Sequence, residues 1–352
     1  MHHDHMLPVV LPITPMLAKS ADSVPVGAFA YEPKWDGFRC IVVRDGGATS
    51  LQSRSKKPLD RYFPEIVDAV GSLPPDCVLD GEIVVRAGVP GAQRLSWEDL
   101  SNRIHPAASR IDRLTAETPA ELVFFDLLGI GEHPLLGLPY RERRTLLEQL
   151  FEQGDLDDRL HLSAMTTDPA VARDWFVRFE GAGLDGVIAK PLAAPYEPGK
   201  RTMWKIKHKR TAEAVVIGYR PQTDGPGVGS LMLGMYDDEG QLLKVGGIGS
   251  LTDKARDDLA GALDPLIVRD ETGNAVKLDF PRSRYGQRRA DVPFIPLLPE
   301  LVVEVAFDQL EGQRFRYAAT FLRWRPDRDP ESCLISQVDR AIGYDLDEVF
   351  AT

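Results

Sequence analysis

Tyr31-Glu32-Pro33-Lys34-Trp35-Asp36-Gly37-Phe38-Arg39 sets one lysine on a stiffened segment just ahead of a β-like run, Arg39–Arg44. Pro33 fixes its own φ and restricts Glu32. Gly37 lets the backbone approach a ligand closely or adopt a positive φ. A lysine attacks phosphorus only as the neutral amine, and with an ordinary pKa of about 10.4 its deprotonation at pH 7 costs about 4–5 kcal/mol. Neighbouring cations or a bound metal reduce that cost, and the chain supplies cations later, at Lys190, Lys205 and Lys207. Taken alone, the segment reads as a surface lysine beside a turn.

Outward from it, short β-like runs (Val78–Val85, Glu121–Leu128, Gly186–Lys190) alternate with stretches whose apolar residues recur at three- and four-residue steps, Phe63–Val70 and Arg141–Phe151. Asp168 and Pro169 read as N-cap and first-turn proline of a helix reaching about Glu180. Residues 1–20, with Pro8, Pro12 and Pro15, read as irregular, and His2, His3 and His5 around Asp4 as a frayed tail. From about Thr211 the texture changes. Ala214–Tyr219, Leu231–Tyr236, Leu242–Gly246, Leu301–Phe307 and Thr320–Arg325 read as short strands, with turns such as Asp224-Gly225-Pro226-Gly227 and one helix-like insert, Thr252–Leu263. The expectation is an α+β domain over residues 1–210 and a small β-barrel of the OB type over 211–352, with an exposed hinge near 208–213.

The chain has 352 residues, 43% of them hydrophobic, and no apolar run of the ~18–20 residues that a membrane helix needs. Without a basic stretch and apolar block at the amino terminus, and with Cys40, Cys77 and Cys333 far apart, the expectation is a cytoplasmic protein with free thiols. Net charge is −11, yet residues 195–210, 282–289 and 313–328 hold 15 Lys or Arg against only Glu197 and Asp327. Phosphate-backbone affinity depends on the local field within a Debye length of roughly 8–10 Å, so this distribution permits a nucleic-acid partner that the total charge by itself disfavours.

Lys34-Trp35-Asp36-Gly37 with Arg39 resembles the first motif of the covalent nucleotidyltransferases, which comprise DNA ligases, RNA ligases and mRNA capping enzymes. Further elements follow in family order: Ser53-Arg54, Asp80-Gly81-Glu82, Phe124-Phe125-Asp126, Asp185-Gly186-Val187-Ile188-Ala189-Lys190, Trp204-Lys205-Ile206-Lys207, and Arg314-Phe315-Arg316 through Arg325. Together they span nearly the whole chain. Pro15-Met16-Leu17-Ala18 and the opening segment resemble the short bacterial ATP-dependent DNA ligases of the LigC group.

The resemblance implies an adenylation domain of ATP-grasp-like ligase type and the following roles. Lys34 is the nucleophile that carries AMP from ATP. Glu32 accepts from the adenine amino group, and Phe125 stacks on the base. Arg39 and Glu82 hold the ribose, with Arg54 at the sugar or the nick phosphate. Lys190, Lys205 and Lys207 bind the α-phosphate, and Arg314 or Arg316 orients pyrophosphate. Glu82 and Asp185 are the candidates for Mg2+ (or Mn2+), as carboxylates suit a hard cation. Asp185 departs from the glutamate usual in family ligases, which places the metal's inner shell in question. The partners implied are nicked duplex DNA and, in a repair setting, Ku and a primase-polymerase. The chain is expected to be a nucleoid-associated monomer. GTP-dependent capping, RNA ligation and a non-catalytic OB-fold binding protein are the competing readings. For Lys205 and Lys207 the spacing adds its own argument: two apart on a strand, both face one side.

Overall fold

The computed structural model describes residues 7–104, 107–208, 210–222, 227–249, 251–278, 294–338 and 343–352. The basic run 282–289, the turn at Asp224–Pro226 and the amino-terminal histidines lie outside them. The chain divides into two compact units, Met1–Lys207 with Ala341–Thr352, and His208–Arg340. The last twelve residues therefore belong to the first unit, where the boundary 211–352 had put them in the second.

The first unit is built on two sheets. In the larger, Ala48–Ser53, Phe38–Asp45, Cys77–Ala87 and Ala120–Ile130 pair antiparallel in that order, with His133–Pro134 at the far edge. Period-two alternation sorts their side chains. Cys77, Leu79, Ile83 and Val85 enter a core with Leu122, Phe124 and the helix residues Ile66, Val70 and Leu147. Asp80, Glu82 and Val84 point to the other face. The helices Pro64–Val70 and Tyr140–Gln153 that cover the core match the periodic stretches. So does Pro169–Arg178, where the Asp168 carboxylate accepts from Ala170 N at 2.7 Å and caps an otherwise unsatisfied donor.

The smaller sheet runs Leu17–Ser20, Arg201–Lys207, Gly186–Pro191, Phe29–Pro33. Its first strand lies within residues expected to be irregular. Leu17–Ser20 pairs in parallel with Arg201–Lys207, a long-range pairing that supplies the backbone partners that local propensity does not predict.

In the second unit, Leu242–Ile248, Val228–Tyr236, Arg210–Pro221, Val302–Phe307 and Thr320–Trp324 form a continuous antiparallel sheet. A bridge from Ile248 to Ala319, with Ala319 N donating to Gly247 O at 2.9 Å, ties its two ends together in the manner of a small OB-type barrel. The helix Asp253–Leu263 is the insert read from the sequence. The exposed hinge is corrected. Arg210–Glu213 is the start of a paired strand opposite Glu304–Phe307, so exposure alternates: Thr211 is exposed and Ala212 buried.

Candidate active site

Register places the lysines. Glu32 lies opposite Ile188, Ala30 opposite Lys190, Ile188 opposite Lys205 and Gly186 opposite Lys207. Cross-strand partners share a face, so Glu32, Lys190, Lys205 and Lys207 all project from one side of the smaller sheet. Tyr31, Val187, Ala189 and Ile206 fill a core on the other. Lys34 follows directly on the edge strand. Its N–H donates to Gly186 O at 2.8 Å and its carbonyl accepts from Asp185 N at 3.0 Å. Glycine is required at two of these crossings. A Cβ on Gly186, at φ +137°, would lie 2.0 Å from Ile206 O, and one on Gly37 would lie 2.1 Å from Ile83 O. Gly37 thus serves a close backbone approach to the larger sheet.

Lys34 Nζ lies 2.5 Å from Asp185 Oδ2, and Lys207 Nζ is 3.0 Å from the same oxygen. Burial opposes ionisation of Asp185, yet Lys34 and Lys207 hold its carboxyl below the ordinary range. The short Asp185 side chain reaches the Lys34 amine. Lys205 is pushed down by burial and then by Lys207, Lys34, Arg201 and Arg54. Arg54 is exposed just past Ala48–Ser53, and its charge adds to the same field.

Deeper in, Lys190 donates to Phe125 O at 2.9 Å and pairs with Glu32 Oε2 at 2.7 Å. Burial lowers its pKa despite Glu32. Glu32, 2% exposed, also accepts from Tyr140 OH, and Arg144 lies 3.9 Å away. Arg39 makes two bonds to Asp80, both 2.6 Å, and Tyr196 OH donates to Asp80 at 2.5 Å. The Phe125 ring carries Arg39 at 4.5 Å and Lys190 at 4.7 Å, contacts of cation–π type. Below it Arg143 clamps Asp126 at 2.7 and 3.0 Å.

Asp80, Tyr140, Arg144 and Tyr196 were not selected as site residues. Asp80 could have been, because it stands two residues before Glu82 on the same strand face. The tyrosines reach the site from over 100 residues away and leave no local signal. Arg314 and Arg316 lie in the second unit, on and beside the short strand Arg314–Phe315 that pairs with Leu310–Glu311. In the basic stretch around them, Arg323 is bound to Glu304 at 2.6 Å, and Arg325 to Glu213 at 2.5 Å and Asp327 at 2.8 Å, so part of that charge is balanced internally.

Comparison with known proteins decides the family. Residues 15–207 match the ATP dependent DNA ligase domain and residues 224–328 the ATP dependent DNA ligase C terminal region. The chain belongs to the ATP-dependent DNA ligase family. DNA ligase C1 of Mycolicibacterium smegmatis is 50% identical over 351 residues, covering 97% of this chain and 98% of that one. DNA ligase C of Mycobacterium tuberculosis is 46% identical, with the same coverage. A solved Lig E DNA ligase, 16% identical with a TM-score of 0.55, shares the fold across 89% of this chain and all of its own. No helix among the described residues of the ligase is long and apolar enough to cross a membrane.

Glu82 accepts from Gly37 N at 3.2 Å. Burial pushes its carboxyl from 4.5 up to about 7, although Arg39 and Lys34 pull it down. The folded ligase therefore keeps this proton over a range where the unfolded chain has lost it. Stability falls as pH rises from about 4.5 to about 7 and stays reduced above that. Glu82→Gln removes the effect. Urea unfolding is expected to show it more stable than the parent by about 1–2 kcal/mol at pH 8, allowing for screening of a partly exposed group, and equal to it near pH 4. An equal difference at both pH values would refute the assignment.

Proposed function

We propose that this ligase carries AMP on Lys34 and seals nicks between a 3′-hydroxyl and a 5′-phosphate in duplex DNA. The observation that supports it best is the grouping of Lys34, Lys207 and Asp185 within 3.0 Å contacts, beside the face that carries Lys190 and Lys205. Lys34 Nζ forms a bond to the α-phosphorus of ATP as the bond to pyrophosphate breaks. The amine proton leaves by way of Asp185 Oδ2, the acceptor already in contact. Lys205 and Lys207 face the charge that develops on the α-phosphate oxygens, where fixed cations act most strongly. The AMP then passes to the 5′-phosphate, releasing Lys34. The 3′-hydroxyl attacks that phosphate, joining the strand and expelling AMP. Lys190 is committed to Glu32 and Phe125 O, so its role in this reading is to hold the nucleoside wall as well as to add positive potential.

Glu82 and Asp185 both feel the charge of Lys34. They fit Mg2+ brought by the nucleotide, since that ion takes one or two carboxylates and keeps phosphate and water oxygens. When bound, it would offset charge on the leaving pyrophosphate. Arg314 and Arg316 are proposed for pyrophosphate orientation, and work beside Ku and a primase-polymerase is the repair setting that the LigC resemblance implies.

The test is joining of 5′-labelled nicked duplexes, one all DNA and one all RNA, with ATP or GTP. The expected result is sealing of nicked DNA with ATP at least about 100-fold faster than either alternative, a discrimination of about 2.7 kcal/mol. Preference for GTP would favour capping chemistry, preference for the RNA duplex RNA ligation, and no turnover a binding protein.

A further inference from the structure

Trp35 separates Lys34 from Asp36 and is 5% exposed. What covers it comes from the other end of the chain. Phe350 stacks on the Trp35 ring at 5.0 Å between centroids and 21° between planes. On its inner side, Trp35 Nε1 donates to Ser163 Oγ at 2.9 Å. Phe350 lies on the short helix Leu346–Phe350, whose first turn is capped by Asp345 accepting from Asp347 N at 3.1 Å.

Independent contacts fix that helix to the first unit. Leu346 and Val349 are wholly buried in the core that also holds Trp35, Phe125, Val187 and Ile206. Leu346 N donates to Gln93 O at 2.9 Å. Asp347 pairs with Arg86 at 2.6 Å, Arg86 with Glu121 at 2.5 Å, and Glu121 with His161 at 2.6 Å. Phe350 rests against two members of this chain of contacts, 4.2 Å from the His161 ring and 5.2 Å from the Arg86 guanidinium. Tyr344 packs on Phe179, and its hydroxyl accepts from Arg178 at 3.2 Å.

We propose that the carboxyl-terminal segment is a positioning element for the nucleophile, with Phe350 clamping Trp35 so that the Lys34 amine is held on line with the α-phosphate. Phe350 is a positioning residue and touches no reactant. The main chain at Lys34 is fixed by Gly186 and Asp185, that at Gly37 is held against the larger sheet, where its N–H donates to Glu82 at 3.2 Å, and Trp35 lies between these two anchors. Its ring is the lever through which that segment is set. Misplacement of a reacting group by about 1 Å costs up to about 100-fold in rate, so a lost aromatic contact adjacent to the nucleophile has a measurable consequence.

This inference rests on Lys34 being the adenylate carrier. The experiment uses the full chain, with Phe350→Ala and Phe350→Trp, and two rates. One is formation of lysyl-AMP from ATP, followed by intact mass. The other is sealing of a nick supplied already adenylylated, which needs no bond to Lys34. Phe350→Ala is expected to slow the first on the order of 10-fold at saturating ATP, with little change in the ATP concentration for half-maximal rate. Sealing of the pre-adenylylated nick stays within about twofold, and Phe350→Trp restores most of the loss. Equal slowing of both rates, or no change in either, overturns the proposal. Should Phe350→Ala be insoluble, Phe350→Leu carries the same comparison, since it keeps bulk and removes the stack. If the parent ligase forms no lysyl-AMP at all, the proposed function falls first; if it does and Phe350→Ala matches it, the positioning role alone falls.

Discussion

Lys34→Ala ligase incubated with α-labelled ATP and Mg2+ is expected to retain no protein-bound label on a denaturing gel, a loss on the order of 10^4-fold or more in lysyl-AMP formation. The size follows from removing the atom that forms the bond, since Lys190, Lys205 and Lys207 can stabilise charge but none is placed on the edge segment between Pro33 and Asp185. Lys34→Arg separates charge from nucleophilicity. A guanidinium can keep the pairing with Asp185, yet it does not lose its proton in proteins and cannot attack phosphorus. Both variants are expected to be inert from ATP and to retain measurable sealing of a nick supplied already adenylylated. Label acquired by Lys34→Ala at a rate near the parent's would place the covalent step elsewhere.

Much of this site could be read from local pattern because strand geometry turns spacing into direction. Lys205 and Lys207 share a face simply by standing two apart on Arg201–Lys207. Asp168–Pro169 marks a helix start through a cap that operates within a few residues. What the sequence withheld depends on partners far away along the chain. Leu17–Ser20 is a strand because Arg201–Lys207 offers it a parallel edge, and its own prolines argue otherwise. Phe29–Pro33 ends in a proline, yet it holds Glu32 opposite Ile188 and so aims it at Lys190.

The same reason explains the errors of boundary and environment. Nothing in Asp345–Phe350 announces that its buried face belongs to the first unit, because the cavity that receives Leu346 and Val349 is made by residues over 130 positions earlier. Roles drawn from resemblance also met unanticipated neighbours. Arg39 was assigned to the ribose, and it is held by Asp80, the carboxylate that also accepts from Tyr196 OH. Phe125 was assigned to the base, and its ring supports two cations. Asp185, expected from the resemblance to be one methylene too short for direct metal contact, has its backbone N–H bonded to Lys34 O at 3.0 Å and its carboxylate against the Lys34 amine.

Lys190→Met is expected to be the most damaging substitution away from the nucleophile, for stability as well as catalysis. Lys190 is 3% exposed and Glu32 is 2% exposed. Removing one member of a buried pair leaves the other uncompensated, at a cost of about 3–5 kcal/mol. Tyr140 and Arg144 remain near Glu32, so the low end, about 3 kcal/mol, is the expected loss in urea unfolding at pH 7. Glu32→Gln with Lys190→Met should recover about half of it, because the neutral amide no longer demands a counter-charge while Tyr140 keeps a hydrogen-bond partner. Catalysis should not recover with stability. The double variant still lacks the ammonium that spans Glu32 and Phe125 O, so lysyl-AMP formation stays at least about 100-fold below the parent, the effect expected for one preorganised charge. Recovery of both properties together would mean that Lys190 serves only the fold. Additive losses in the double variant would mean that the two side chains are not coupled, and the nucleoside wall built on them would have to be redrawn.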